Sequence, residues 1–209
     1  MIVRCVAHRS LVVVLALGAL TAGASRAMAQ PPAVDVGGHV GVLRLGELDT
    51  TDVGVGPDVV WRMTPVLAID GALTWFPGSN ASSGGSSRHA RRTLGLTGLR
   101  AGISAGSVDV FARARGGFLR FSPGPPTVCI AIFPVPLVCQ LAGGYTAFAA
   151  DVGGGASVGL ISSGRLRAFV EAGDLMVRYG FMSFRPNGTT SESFLSHNLL
   201  VSIGAAWRF

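Results

Sequence analysis

Few residues of this chain could do chemistry, and their spacing excludes most of it. The four histidines are His8, His39, His89 and His197, and the three cysteines are Cys5, Cys129 and Cys139. In a serine esterase a histidine takes the hydroxyl proton so that the alkoxide can attack. The residues two positions after His39, His89 and His197 are Gly41, Arg91 and Leu199, so the sequence has no His-x-Ser pair there. Ser196-His197 has the reverse order, and in an extended chain the two side chains face opposite ways. The glycine run Val152-Gly153-Gly154-Gly155-Ala156 lacks the lysine and helix of a phosphate loop. No catalytic residue, cofactor or metal site is expected.

The remaining candidates are charges. Asp35, Asp58, Asp70, Asp109, Asp151 and Glu171 stand against Arg62, Arg113, Arg115, Arg165, Arg167 and Arg178. Such a set is meaningful only if an architecture brings it together, so the question becomes what positions it.

Composition narrows that architecture. Of 209 residues, 13% are charged and 49% hydrophobic, with 30 glycines and 11 prolines. Soluble domains carry about 25% charged residues, so much of the usual polar coat is missing. A mean hydropathy of +0.50 is the reverse of disorder. The glycine and proline content argues against a helical bundle.

The N-terminus reads as an address. Arg4, His8 and Arg9 precede the apolar run Leu11–Leu20, and Ala27-Met28-Ala29 supplies a small-x-small cleavage site. Residues 1–29 are therefore expected to be a cleaved secretory signal peptide, because the apolar run is too short to span a bilayer. Cleavage removes Arg4, Arg9 and Arg26 and no acid, lowering the net charge from +6 to +3. That charge, with no basic run interleaved with aromatics, excludes nucleic acid as a partner. In an exported chain the remaining pair, Cys129 and Cys139, reads as one disulfide. No histidine lies at zinc-ligand spacing from them.

Residues 30–209 read as eight alternating segments. In the last one, Leu199, Val201, Ile203, Ala205, Trp207 and Phe209 alternate with Ser202, Gly204, Ala206 and Arg208. A period of two places these sets on opposite faces of a strand. The other segments run through Val34–Val42, Val53–Trp61, Leu67–Trp75, Thr93–Ile103, Val108–Phe118, Phe148–Val158 and Leu166–Ala172. A phase change between Leu96 and Leu99 predicts a bulge near Gly98, and a second phase change falls near Gly173.

Three features turn the apolar face toward lipid. The opposite face is too sparse in polar groups to be the wet side of a soluble sandwich. Trp61, Trp75, Phe76, Phe118, Phe121, Tyr145, Tyr179, Phe181, Trp207 and Phe209 lie near segment ends, as interfacial girdles do. Short links at 62–65, 104–107 and 162–164 alternate with longer ones at 46–51, 77–90, 122–143 and 183–196. The fold class expected is all-β: a closed antiparallel up-and-down eight-stranded transmembrane barrel, able to stand as a monomer.

The chain ends His197-Asn198-Leu199-Leu200-Val201-Ser202-Ile203-Gly204-Ala205-Ala206-Trp207-Arg208-Phe209. With the alternation before it, this resembles the OmpA-type outer-membrane β-barrel family, the small porin-like barrel domains. The resemblance implies an assembly signal at Val201, Ile203, Trp207 and Phe209. It implies the outer membrane of a Gram-negative-type bacterium, outer-membrane lipid as surroundings and the outer-membrane assembly machinery as a transient partner. Lipid A deacylases share this architecture but use the His-x-Ser pair lacking here. A soluble lipocalin-type barrel would need more charge, and a small narrow pore is the other alternative.

Eight strands leave a lumen that side chains fill. The balanced charges then read as a lumen ion-pair network of Asp35, Asp58, Asp70, Asp151, Glu171, Arg113, Arg115, Arg167 and Arg178, since burial demands pairing. His39 reads as a satisfied lumen residue. The apolar, proline-rich segment 122–143, holding both cysteines, is the place where a surface partner would make contact.

Overall fold

Side chains that alternate valine, leucine or tryptophan with small or charged residues favour extended backbone, and only pairing satisfies its polar groups. The computed structural model describes residues 33–78, 91–123, 144–161, 164–185 and 188–209, and of 181–185 and 188–192 the backbone alone. The strands are β1 (Ala33–Leu45), β2 (Thr50–Arg62), β3 (Leu67–Phe76) and β4 (Arg92–Ala105), followed by β5 (Val108–Phe121), β6 (Tyr145–Gly159), β7 (Leu166–Arg185) and β8 (Gly188–Arg208). Each pairs antiparallel with its sequence neighbours, and β1 pairs with β8 to close an eight-stranded barrel.

The ends differ. At one end, which also holds Ala33 and Phe209, Gly106 and Ser107 alone join the paired Ala105 and Val108. Gly106 has φ of 64°, the left-handed value that a two-residue hairpin asks of glycine. This is called the turn end below. The opposite end, where β3 and β5 finish and β4 and β6 begin, is the loop end; residues 79–90 and 124–143, with Cys129 and Cys139, fall outside the described set.

Two of the links expected to be long are not. Gly46 to Asp49 is a tight turn, closed by the Asp49 amide donating to the Gly46 carbonyl at 3.3 Å. Segment 183–196 is mostly strand: β7 and β8 pair as far as Arg185 and Gly188. The β6 ladder stops at Arg178 and the β1 ladder at Leu199, so the tip of this hairpin is a two-stranded ribbon. Where β6 begins, the Gly180 amide donates to the Tyr145 hydroxyl at 2.9 Å.

The register is continuous on both sides of β4 and of β7, so no bulge interrupts Gly98 and none accounts for the phase change at Gly173. Instead, the two faces exchange character along the strand. On β4 the inward positions include Leu94, Leu96 and Arg100, while Leu99 and Ile103 point outward. On β7, Val170 points outward with Glu171 inside, but farther along Asp174 and Arg178 point outward with Leu175, Val177 and Tyr179 inside. Toward the loop end the lumen therefore turns apolar and the outer wall polar. This is the inside-out reversal expected where strands leave an apolar belt and enter water.

Aromatic rings fit the barrel by facing glycine. Phe76, Phe111 and Phe169 point inward, each opposite Gly54, Gly155 and Gly204 on the adjoining strand. A Cβ at those glycines would lie 2.6, 2.9 and 2.5 Å from the ring, so the space exists only because the side chain is missing.

Candidate functional site

Among the described residues, the lumen is where the fold gathers most of the chemistry-bearing side chains, and it is filled in three tiers. At the turn end, Asp35 and Asp109 meet Arg62, Arg167 and Arg208. Arg62 donates from Nε to Asp35 at 3.1 Å and from Nη2 to Asp109 at 3.0 Å. Arg208 makes a bidentate contact with Asp35 at 2.7 and 3.0 Å. Arg167 Nη2 lies 2.8 Å from Asp109 and also donates to the Ser157 hydroxyl at 3.0 Å.

The middle tier is drier. Arg113 Nε donates to Asp151 Oδ2 at 2.8 Å, and Arg115 reaches the same oxygen from Nε at 3.0 Å and Nη2 at 2.8 Å. Glu171 pairs with Arg113 and Arg100. Arg100 Nη2 lies 3.3 Å from Asp70, and its guanidinium lies over Phe111 at 3.8 Å from the ring centroid. His39 is buried, with Nε2 2.8 Å from the Thr74 hydroxyl and Nδ1 3.7 Å from Asp58. The planar guanidinium suits this tier because it offers several donors in one plane to carboxylates on different strands.

The loop-end tier is an apolar plug. Leu45, Phe76, Leu94, Leu119, Phe121 and Tyr179 pack together across the lumen. Tyr179 lies 6.2 Å from Phe121 and 5.3 Å from Phe194, centroid to centroid. Within the plug Arg92 pairs with Asp52, and its guanidinium lies 5.3 Å from the Phe121 centroid.

Little space is left. The cavity among His39, Asp58, Asp70, Thr74, Arg100 and Ser202 measures about 20 Å³, room for a single water. Among the described residues no group of three His, Cys, Asp or Glu is placed to hold a metal ion.

The outer wall is an apolar belt. Trp61, Trp207 and Phe209 edge it at the turn end, and Trp75, Phe118 and Phe148 edge it toward the loop end. Phe76, Phe121, Tyr145 and Tyr179, expected in these girdles, point inward instead, and the Phe181 side chain lies outside the described residues. On β5 the outward apolar positions run from Val108 to Phe118, matching the roughly 9–11 residues of a tilted transmembrane strand.

Neither a protein-family model nor a curated protein matches the chain in sequence. Among solved structures, the N-terminal β-barrel domain of Pseudomonas aeruginosa OprF superposes with a TM-score of 0.52 at 8% identity, covering 85% of this chain and 97% of that one. Neisserial surface protein A superposes with a TM-score of 0.50 at 13% identity, covering 86% and 98%. The fold is that of the small eight-stranded outer-membrane barrels.

Within that fold, eight residues expected in the lumen network lie there: Asp35, Asp58, Asp70, Asp151, Glu171, Arg113, Arg115 and Arg167. Arg178 does not. It shares the outward face with Asp174 and donates to the Ser193 hydroxyl at 3.2 Å, because it lies beyond the point where β7 reverses polarity. Arg165 also leaves the lumen, exposed in the link before β7. Their places are taken by Arg100, Arg208 and the Arg92–Asp52 pair. The signal for Arg100 is its parity with Leu94 and Leu96, which a bulge at Gly98 would have broken. Val201, Ile203 and Trp207 lie in the outward row of β8, and Phe209 follows just past its end.

Two stretches, Gly102–Gly106 and Gly155–Gly159, do spell G-x-S-x-G. Neither forms the strand-to-helix elbow that exposes a nucleophile. Ser104 is the next-to-last residue of β4, beside the two-residue hairpin, and the Ser157 hydroxyl accepts from Arg167. His39 bonds to Thr74 and His197 lies 2.7 Å from Asp174, so neither histidine serves these serines.

Proposed function

We propose that this chain is a non-enzymatic integral outer-membrane protein whose barrel is a sealed structural body and whose loop end makes surface contacts. The observation that carries this reading is the filled lumen. A path for ions would have to cross the apolar plug around Tyr179 and Phe121 and the shared carboxylate of Asp151. Opening such a path breaks several buried charge pairs at once.

Residues 1–29 export the chain, and the outward edge of β8 is read during assembly. Segment 122–143, tied by Cys129 and Cys139, is the surface element available to a partner. The girdles at both ends of the belt support a lipid-spanning position for the barrel.

Membrane fractionation, a heat-modifiability gel and planar-bilayer recording together test the reading. The expected result is an outer-membrane protein with distinct folded and boiled mobilities and no steady conductance. A stable open level would replace the sealed body with a narrow pore. Release of fatty acid from purified glycolipid would replace it with an enzyme.

A further inference from the structure

The outer wall carries a set of arginines that the lumen does not explain. Arg44 ends the outward row of β1 just past Val42, and Arg120 ends that of β5 just past Phe118. Arg91 precedes β4, and Arg178 lies past Val170 and Ala172 on β7. All four are exposed and all lie at the loop end, where the wall changes from apolar to polar. Arg44, Arg91 and Arg120 have no acidic partner among the described residues, and Arg178 bonds only to a serine hydroxyl. Of the described acids at this end, Asp174 is already paired with His197, and Glu47 and Asp49 lie exposed in the β1–β2 turn past Arg44, on a different hairpin from Arg91 and Arg120. At the turn end the exposed arginine is Arg165 alone among the described residues.

Two of these arginines are placed to act together. Arg92 pairs with Phe121, and the Ser122 amide donates to the Arg91 carbonyl at 2.9 Å, so Arg91 faces Ser122 across the ladder. Arg120 is then the diagonal neighbour of Arg91 on the same outward face. Diagonal neighbours lie roughly 7–8 Å apart, within reach of long side chains. Two guanidiniums at that spacing can converge on one tetrahedral anion, each donating from a planar fork. The site lies immediately above Phe118, where a lipid acyl chain would end and its headgroup begin.

We propose that Arg91 and Arg120 bind a phosphate group of an outer-leaflet glycolipid, with Arg44 and Arg178 extending the same basic collar around the rim. This rests on the outer-membrane reading above and names the lipid chemistry that the barrel selects. Cations at the headgroup level attract anionic lipid, and guanidiniums with no acidic partner among the described residues are the ones left to donate to it.

The test uses the full barrel in nanodiscs of phosphatidylcholine doped with diphosphoryl lipid A, with retained glycolipid counted by native mass spectrometry. R91Q/R120Q should retain roughly tenfold less glycolipid, the loss expected when charge-assisted hydrogen bonds are removed. R165Q, which removes the same kind of charge at the opposite end, should retain as much as the unmodified barrel. Enzymatically dephosphorylated glycolipid should bind the two barrels equally. Equal loss in R165Q, or equal retention of phosphatidylglycerol and lipid A by the unmodified barrel, would overturn the proposal. A heat-modifiability gel on every variant separates the two readings. If the shift persists while retention is unchanged, the collar fails alone; if no protein shows the shift, the barrel reading itself has failed.

Discussion

Asp35 and Arg208 close the barrel, with Arg208 donating to both oxygens of a carboxylate that lies 173 residues away in sequence. Asp35 opens β1 and Arg208 ends β8, so the bidentate pair lies across the seam where the first strand meets the last. Asp35 also accepts from Arg62, and Arg62 reaches on to Asp109. One carboxylate thus ties β1, β2 and β8 together at the turn end.

The seam predicts an order of mutational cost. D35N leaves Arg62 and Arg208 facing a neutral amide and should lower stability by about 2 kcal/mol. This is less than a fully buried broken pair would cost, because Arg208 is 28% exposed and water screens it. R208A removes the partly solvated partner and should cost about 1 kcal/mol or less. Urea unfolding in lipid vesicles measures both, and a larger loss for R208A than for D35N would contradict the seam as described.

In the middle tier the fit is steric as well as electrostatic. A Cβ on Gly173 would lie 2.5 Å from Asp151 Oδ1, so the carboxylate shared by Arg113 and Arg115 occupies the space of an absent side chain. G173A should destabilise the barrel by about 1–3 kcal/mol through overpacking. In a D151A background the added methyl meets only the Val152 carbonyl at 3.1 Å, and the penalty should shrink to about 1 kcal/mol or less. Additive losses in this double-mutant cycle would show that Gly173 is not shaped by Asp151.

The strand count, the closure and most of the middle tier were legible because period-two alternation assigns a face to each residue without knowledge of its neighbours. Asp70, Asp151 and Glu171 each oppose apolar residues in their own strand, and all three are buried. What escaped is the reversal of meaning along a strand. Leu94 and Leu175 are apolar in the same way as Leu99 and Val170, yet they line the lumen while those face outward. Alternation reports parity but not the medium outside, and a change of medium mimics a change of phase. That ambiguity sent Arg178 inward and hid Arg100.

The outward belt is open to a direct test on β8. Ile203 is 63% exposed at mid-belt, while its neighbour Ser202 is buried in the lumen. I203R should cost about 2–4 kcal/mol, the usual penalty for arginine on the lipid face near the bilayer midplane. S202A, facing the lumen, should stay within about 1 kcal/mol of the parent. Reversed costs in vesicle unfolding would place the wrong face against lipid.

The Arg92–Asp52 pair predicts the opposite kind of result from the seam, because it lies in apolar surroundings. Its guanidinium is flanked by Phe121, its remaining bond is to the Thr50 hydroxyl at 3.3 Å, and both side chains are almost fully buried. Removing one partner strands a charge inside the plug, so R92M or D52L alone should cost about 3–5 kcal/mol. Removing both leaves Met and Leu among Leu45, Leu94 and Tyr179, where apolar contact replaces the charge pair. The double variant should therefore recover to within about 1 kcal/mol of the parent, since a buried pair is often no more stable than a well-packed apolar replacement. A double variant as unstable as the sum of the singles would mean that Arg92 and Asp52 are not coupled, whereas one as unstable as either single would mean that apolar contact does not replace the charge pair linking β2 and β4.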